Sequence, residues 1–213
     1  MRRMIVPLAL AFVLLAGCGD DEAEPSAVTD PTTETGTDDA GGPGSENEGH
    51  TVAMSGADGA EVGTVTLSPS GEGVEVVADL QGLEPGFHGF HIHDVGVCEA
   101  DAADGPFTTA TGHFVGDGGT HGDHNGDMPS LYVTDDGTAS LSVTLDAFTL
   151  EELTEGDGAA VMVHADPDNF ANIPDRYSSD DAEEAGPDEA TTKTGDAGAR
   201  AACGVVGTDP AGA

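Results

Sequence analysis

The chain has 213 residues, of which 41 are Asp or Glu and five are Lys or Arg, so its formal net charge is −36 at pH 7. A chain this acidic excludes nucleic acid as a partner, because phosphate repels it. Hydrophobic residues make up 37% and aromatics 4%, with no Trp, which suits one modest core and excludes a large multidomain interior.

Residues 1–18 open with Arg2 and Arg3 and continue into an apolar run over 4–16. That run is too short to span a bilayer and has the basic start and apolar middle of an export signal. It ends Leu15-Ala16-Gly17-Cys18, and small residues before a Cys resemble the lipobox of bacterial lipoproteins. The expectation is a signal peptide over 1–17, a lipid on Cys18, and an extracytoplasmic protein anchored to the cell membrane of a bacterium. Residues 19–49 carry ten acidic residues and no basic ones. Almost nothing there can be buried, so 18–49 is expected to be the lipidated Cys and a disordered tether ahead of one domain, 50–213. With Cys18 lipidated, Cys98 and Cys203 remain as an even pair in an exported chain. They are either a disulfide closing a loop of about 105 residues or two free thiols.

From residue 50 the apolar pattern has period two. Short strands are expected at 50–54, 61–67, 73–80, 131–134, 138–145, 159–164 and 202–206, parted by Gly, Pro, Ser and Asp. Asp135-Asp136-Gly137 is a hairpin turn between two of them. Seven or eight such strands mean an all-β sandwich or barrel. Residues 148–153 have room for one helical turn. Two long stretches, 94–129 and 165–201, lack apolar periodicity and are expected to be loops, the first of them functional.

Six of the eight histidines fall within 85–127. His91 and His93 are two apart, so on a strand both rings leave one face, while His88 points the other way and reads as a supporting residue. Imidazole suits copper and zinc, and an Asp among histidines suits zinc. The histidine pair followed by His113, His121, His124 and Asp127 therefore reads as two neighbouring metal sites. His50, at a strand start, and Asp117 and Asp123, in the loop, read as solvated residues.

Five motifs carry a family resemblance. They are Gly-Phe-His-Gly-Phe-His-Ile-His over 86–93, Gly-His-Phe over 112–114, His121…His124-Asn-Gly-Asp127, Val-Met-Val-His164, and Gly-Ala-Arg200-Ala-Ala-Cys203-Gly-Val-Val-Gly207. In this order they resemble the copper/zinc superoxide dismutases of the bacterial exported type. The resemblance implies an eight-stranded Greek-key β-barrel, an immunoglobulin-like sandwich with two long functional loops. It implies copper on His91, His93, His113 and His164, and zinc on His113, His121, His124 and Asp127, with His113 bridging the two. His88 and Asp168 fall on the family's supporting residues, and Cys98 and Cys203 on its disulfide.

The implied activity is dismutation of superoxide to dioxygen and hydrogen peroxide. His113 handles the proton, Arg200 docks the anion, and Lys193 guides it against a globally repulsive surface. Arg176 and Tyr177 resemble a stretch of bacterial relatives and read as packing for the second long loop. The sequence departs from many relatives at Phe114-Val115-Gly116 and in its short zinc loop, a loop in which some exported relatives lose zinc. A homodimer is compatible with the resemblance. Two other readings stand beside it: a non-catalytic copper/zinc-binding lipoprotein on the same barrel, which would need neither Arg200 nor the bridging His113, and a structural or adhesive lipoprotein with a dead site, which should have lost ligands.

Overall fold

The computed structural model describes residues 49–207 apart from Asp117, Gly118 and Glu183. The expected signal peptide, Cys18, nearly all of the tether and Asp117 lie outside the described residues.

Nine strand segments form one antiparallel sheet: β1 His50–Gly56, β2 Glu61–Ser70, β3 Gly73–Gln81, β4 Gly86–His88, β5 Phe90–His93, β6 Leu131–Val133, β7 Thr138–Leu145, β8 Ala160–His164 and β9 Arg200–Val205. Alternation is the cause, and the inward set is the apolar one: Val52 and Met54 on β1, Val62, Val65 and Leu67 on β2, Val74, Val76, Ala78 and Leu80 on β3. Each Val, Leu or Met side chain among them stabilises the barrel by roughly 1.5–3 kcal/mol when fully buried.

The sheet order is β4-β6-β7-β3-β2-β1-β9-β8-β5. Its two ends, β4 and β5, are halves of one run of chain broken only at Gly89. The sheet therefore closes on itself, and nine segments make the eight strands of a barrel. At Gly89 the strand leaves β6, with its N–H donating to the Asp166 carbonyl at 2.9 Å and its carbonyl accepting from the His164 N–H at 2.8 Å.

Two core clusters explain where the long loops lie. β8 is buried at every position, because Val161 and Val163 face the barrel interior while Ala160 and Met162 face outward under a second cluster. That second cluster contains Phe107, Ala110 and Cys203, with Cys98 and Ala100 packed on it. The first long loop is thus fixed to the outside of β8 and β9 by apolar contact and by the Cys98–Cys203 disulfide, whose Cα atoms are 5.7 Å apart. This settles the pair as a bridge.

The helical turn expected at 148–153 is α1, Leu150–Thr154. Thr149 caps it by accepting from the Glu152 N–H, and Glu152 reaches back to the Thr149 N–H. The second long loop departs from the expectation of a structureless stretch. It holds a six-residue helix, α2, Glu189–Thr194, capped by Asp188 at its start and by Gly195 in a left-handed conformation at its end.

Candidate metal centre

β5 sets the geometry. Phe90 and Ile92 enter the core, so His91 and His93 leave the outer face together, covered by the loops and exposed to 0% and 1%. The strand-parity expectation therefore holds. Residues 112–114 and 126–128 lie along the free edge of β5. The Ile92 N–H donates to the Gly126 carbonyl at 2.9 Å, the Phe114 N–H to the Ile92 carbonyl at 2.8 Å, and the Asp94 N–H to the Gly112 carbonyl at 3.0 Å. This pairing carries His113 and Asp127 to positions opposite His93 and His91. His164 arrives from the end of β8.

His91, His93, His113 and His164 are all buried, and one ligand atom from each lies within 4.8 Å of the others. A second such group is His91, His113, His121 and Asp127. His124 stands just outside it, with its Nδ1 3.5 Å from Asp127 Oδ2 and its ring centroid 5.5 Å from that of His113. Asp123 beside it is exposed, as expected.

Hydrogen bonds decide which ring nitrogens are free. His91 donates from Nε2 to Asp168 Oδ2 at 2.6 Å, and His121 from Nε2 to Asp168 Oδ1 at 2.7 Å, so Asp168 spans the two histidine groups. His113 donates from Nδ1 to Asp127 Oδ1 at 2.7 Å. Buried ring nitrogens without a hydrogen-bond partner remain at His91 Nδ1, His113 Nε2, His121 Nδ1 and His124 Nδ1. Such orphans are costly unless something occupies the site.

His93 uses its Nδ1–H on the Thr111 carbonyl at 2.9 Å, and His164 uses its own on the Gly198 carbonyl at 3.3 Å. Their Nε2 lone pairs consequently face each other at 3.3 Å. Two lone pairs meeting inside a buried histidine cluster fit a cation between them. The residues present therefore suit copper and zinc.

Electrostatics agree. Burial pushes His91 down to about 4 against the pull of Asp168. Burial likewise pushes His164 down to about 3 and His93 well below its ordinary value, each helped by neighbouring histidines. These rings are neutral at pH 7 and ready to donate lone pairs. Burial also lowers His124. His121 goes the other way: burial opposes its charge, but Asp127 and Asp168 outweigh burial and raise it to about 9. Metal binding there displaces a proton. Asp127 and Asp168 are held far below the usual carboxylate range, because the adjoining histidines outweigh a burial effect of opposite sign.

His88 is buried on the other side of the strand, with its ring nitrogens 2.7 Å from the His164 carbonyl and 2.8 Å from the Glu84 carbonyl. It braces the backbone of His164, in keeping with a supporting role. Arg200, at the start of β9, donates to the carbonyls of Phe107 and Thr111, and burial lowers its pKa. Lys193 is exposed on the last turn of α2 and bonded to Glu189.

Sequence reading missed Thr111, whose one carbonyl accepts from both His93 and Arg200. It also missed Gly195, against which the His121–Asp168 hydrogen bond is packed. Thr111 acts through its backbone, so its side-chain identity carries no signal. Gly195 is one of many glycines in turn-rich sequence and carries no such signal either.

Residues 61–206 match the family model described as copper/zinc superoxide dismutase (SODC). A Cu-Zn superoxide dismutase of Mycolicibacterium paratuberculosis is 39% identical over 226 residues, covering 97% of this chain and 99% of its own. One of Mycobacterium tuberculosis is 46% identical over 152 residues, covering 68% of this chain and 60% of that protein. Among solved structures, the Cu/Zn superoxide dismutase of Brucella abortus is 32% identical with a TM-score of 0.55, covering 75% of this chain and 99% of its own. With the barrel, the paired histidine groups and a family match over most of the described residues, the chain belongs to the copper/zinc superoxide dismutase family.

Proposed function

We propose that this chain dismutates superoxide with copper held by His91, His93, His113 and His164 and zinc held by His113, His121, His124 and Asp127. The carrying observation is the set of buried, unpartnered ring nitrogens together with the facing Nε2 atoms of His93 and His164. Copper, when bound, supplies the one-electron chemistry that converts two superoxides to dioxygen and peroxide, while zinc supplies fixed charge without redox.

The chain's own residues do the rest. His113 presents Nε2 to the copper group and Nδ1 to the zinc side, so it is the ring that holds a proton at Nε2 and returns it to the departing peroxide. Asp168 fixes the tautomers of His91 and His121. Arg200, its guanidinium held by two backbone carbonyls, docks the anion by charge-assisted hydrogen bonding. Lys193 guides the anion, and its exposed pairing with Glu189 makes it the weaker of the two cations.

The full-length protein should hold about one copper and one zinc per chain and remove superoxide. Arg200→Ala should keep both metals and lose about ten- to a hundredfold in kcat/KM, the range of one charge-assisted hydrogen bond. A metal-loaded wild type that leaves superoxide untouched would overturn the reading.

The same proposal places the enzyme outside the cytoplasmic membrane, with a signal peptide at 1–17, a lipid on Cys18 and an acidic tether to residue 49. Its support is the Leu15-Ala16-Gly17-Cys18 sequence together with a disulfide, a bond that persists in oxidising compartments. Cys18→Ala should move the protein from membrane to soluble fractions with unchanged specific activity, and continued membrane association would defeat the anchor. A homodimer belongs to the reading too. It is supported by the exposed Phe87 and Tyr132, whose rings meet across β4 and β6 at 4.9 Å between centroids.

A further inference from the structure

Among the described residues from 165 to 196, no apolar side chain belongs to either core cluster. Something else orders the loop that carries Asp168. Besides Asp168 itself, whose side chain is 2% exposed, the buried polar residue described there is Thr191, exposed to 1% on α2. Its hydroxyl donates to Asp196 Oδ1 at 2.9 Å. A hydroxyl has a single proton, so in the 3.1 Å contact between Thr191 and the Tyr177 hydroxyl the donor is Tyr177.

Asp196 Oδ2 accepts from Asn169 Nδ2 at 2.9 Å, and that amide also donates to the Thr191 carbonyl at 3.1 Å. The Asn169 N–H donates to the Gly195 carbonyl at 2.9 Å, and Asn169 Oδ1 accepts from the Ala171 N–H at 2.7 Å. Asn169 is thus held from every side, and the residue before it is Asp168. Phe170, Ala171 and Asp196 have φ of 51°, 55° and 56°. Such conformations cost non-glycine residues energy and persist only where the surroundings impose them.

We infer that Tyr177 is a positioning residue for the metal pair. Its hydroxyl closes a Tyr177–Thr191–Asp196–Asn169 clamp that fixes Asp168, and through Asp168 the imidazoles of His91 and His121. The inference rests on the ligand assignment proposed above. The clamp works at a distance because hydrogen bonds in series polarise one another; the links made by Thr191 are part-buried and the one from Asn169 to Asp196 is exposed.

The test uses copper-loaded, zinc-free full-length protein titrated with Co(II), whose d–d absorption reports its own ligand geometry. Tyr177→Phe keeps the ring and removes only the donor. It should weaken Co(II) binding about three- to tenfold, the effect of one neutral hydrogen bond, and alter the absorption band. In an Asp168→Asn background the same substitution should have no further effect on Co(II).

Unchanged Co(II) affinity and spectrum in Tyr177→Phe overturns the inference, whatever happens to the melting temperature. An effect that survives in the Asp168→Asn background overturns it as well, because Tyr177 would then act by another route. A wild-type chain that binds no Co(II) would sink the ligand assignment instead. Amide exchange at 169–171 in metal-free protein then still decides the clamp: faster exchange in Tyr177→Phe supports it, and equal exchange refutes it.

Discussion

Replacing Cys98 and Cys203 together by alanine is expected to lower the unfolding free energy by about 4.7 kcal/mol, the chain-entropy value for a loop of this length. The two cysteines are 105 residues apart and tie the first long loop to β9. For a domain of this size that is a fall in melting temperature of roughly 10–20 °C. Activity should fall as well, because the tied loop carries the Phe107 and Thr111 carbonyls that hold the Arg200 guanidinium. Scanning calorimetry gives the first quantity, and superoxide removal per bound copper gives the second. Lower stability with unchanged activity per copper would mean that the apolar packing of Phe107 and Ala110 alone positions Arg200.

Gly195→Ala is expected to cost the zinc side most. Gly195 has φ of 67°, and a Cβ there would lie 2.3 Å from His121 Nε2 and 2.7 Å from Asp168 Oδ1. Both atoms belong to the hydrogen bond that joins His121 to Asp168, so the methyl group can be accommodated only by parting them. Loss of such a supporting hydrogen bond weakens metal binding about 10- to 100-fold, and the left-handed backbone adds strain of about 1–3 kcal/mol. Zinc affinity measured by chelator competition should fall into that range, with the barrel's secondary structure intact. Wild-type zinc affinity in this variant would mean that Asp168 does not set the position of His121.

The barrel was legible because alternation is a local signal: Val74, Val76, Ala78 and Leu80 are spaced by the pleat itself. The histidine pair on β5 was legible for the same reason, since parity assigns His91 and His93 to one face and His88 to the other. Helix α2 was not. Six residues with Thr191 as their only buried member make no apolar stripe, and the remaining signals, Asp188 and Gly195 at its ends, also occur in ordinary turns.

Long-range partners were out of reach for a different reason. Nothing in local spacing joins Asp168 to His91, 77 residues away, and only the family resemblance supplied that contact. The carbonyls of Thr111 and Gly198 belong to the backbone, so no choice of side chain announces them. The hydroxyl of Tyr177 meets Thr191 fourteen residues on, across a turn without apolar periodicity.

The strand that closes the barrel, 86–93, is also the strand that presents His91 and His93. Inserting or deleting one residue between Gly86 and His91 would turn both imidazoles toward Phe90 and Ile92's side of the sheet. The same slip would offset the seam against β6 on one edge and β8 on the other. Folding would fail along with metal binding, and a lineage carrying such a change would lose the whole protein. Descendants of this chain can therefore shed copper by exchanging histidines for other residues, but they cannot do so by drift in histidine spacing. The histidines' place on the strand is protected by the barrel's need to shut.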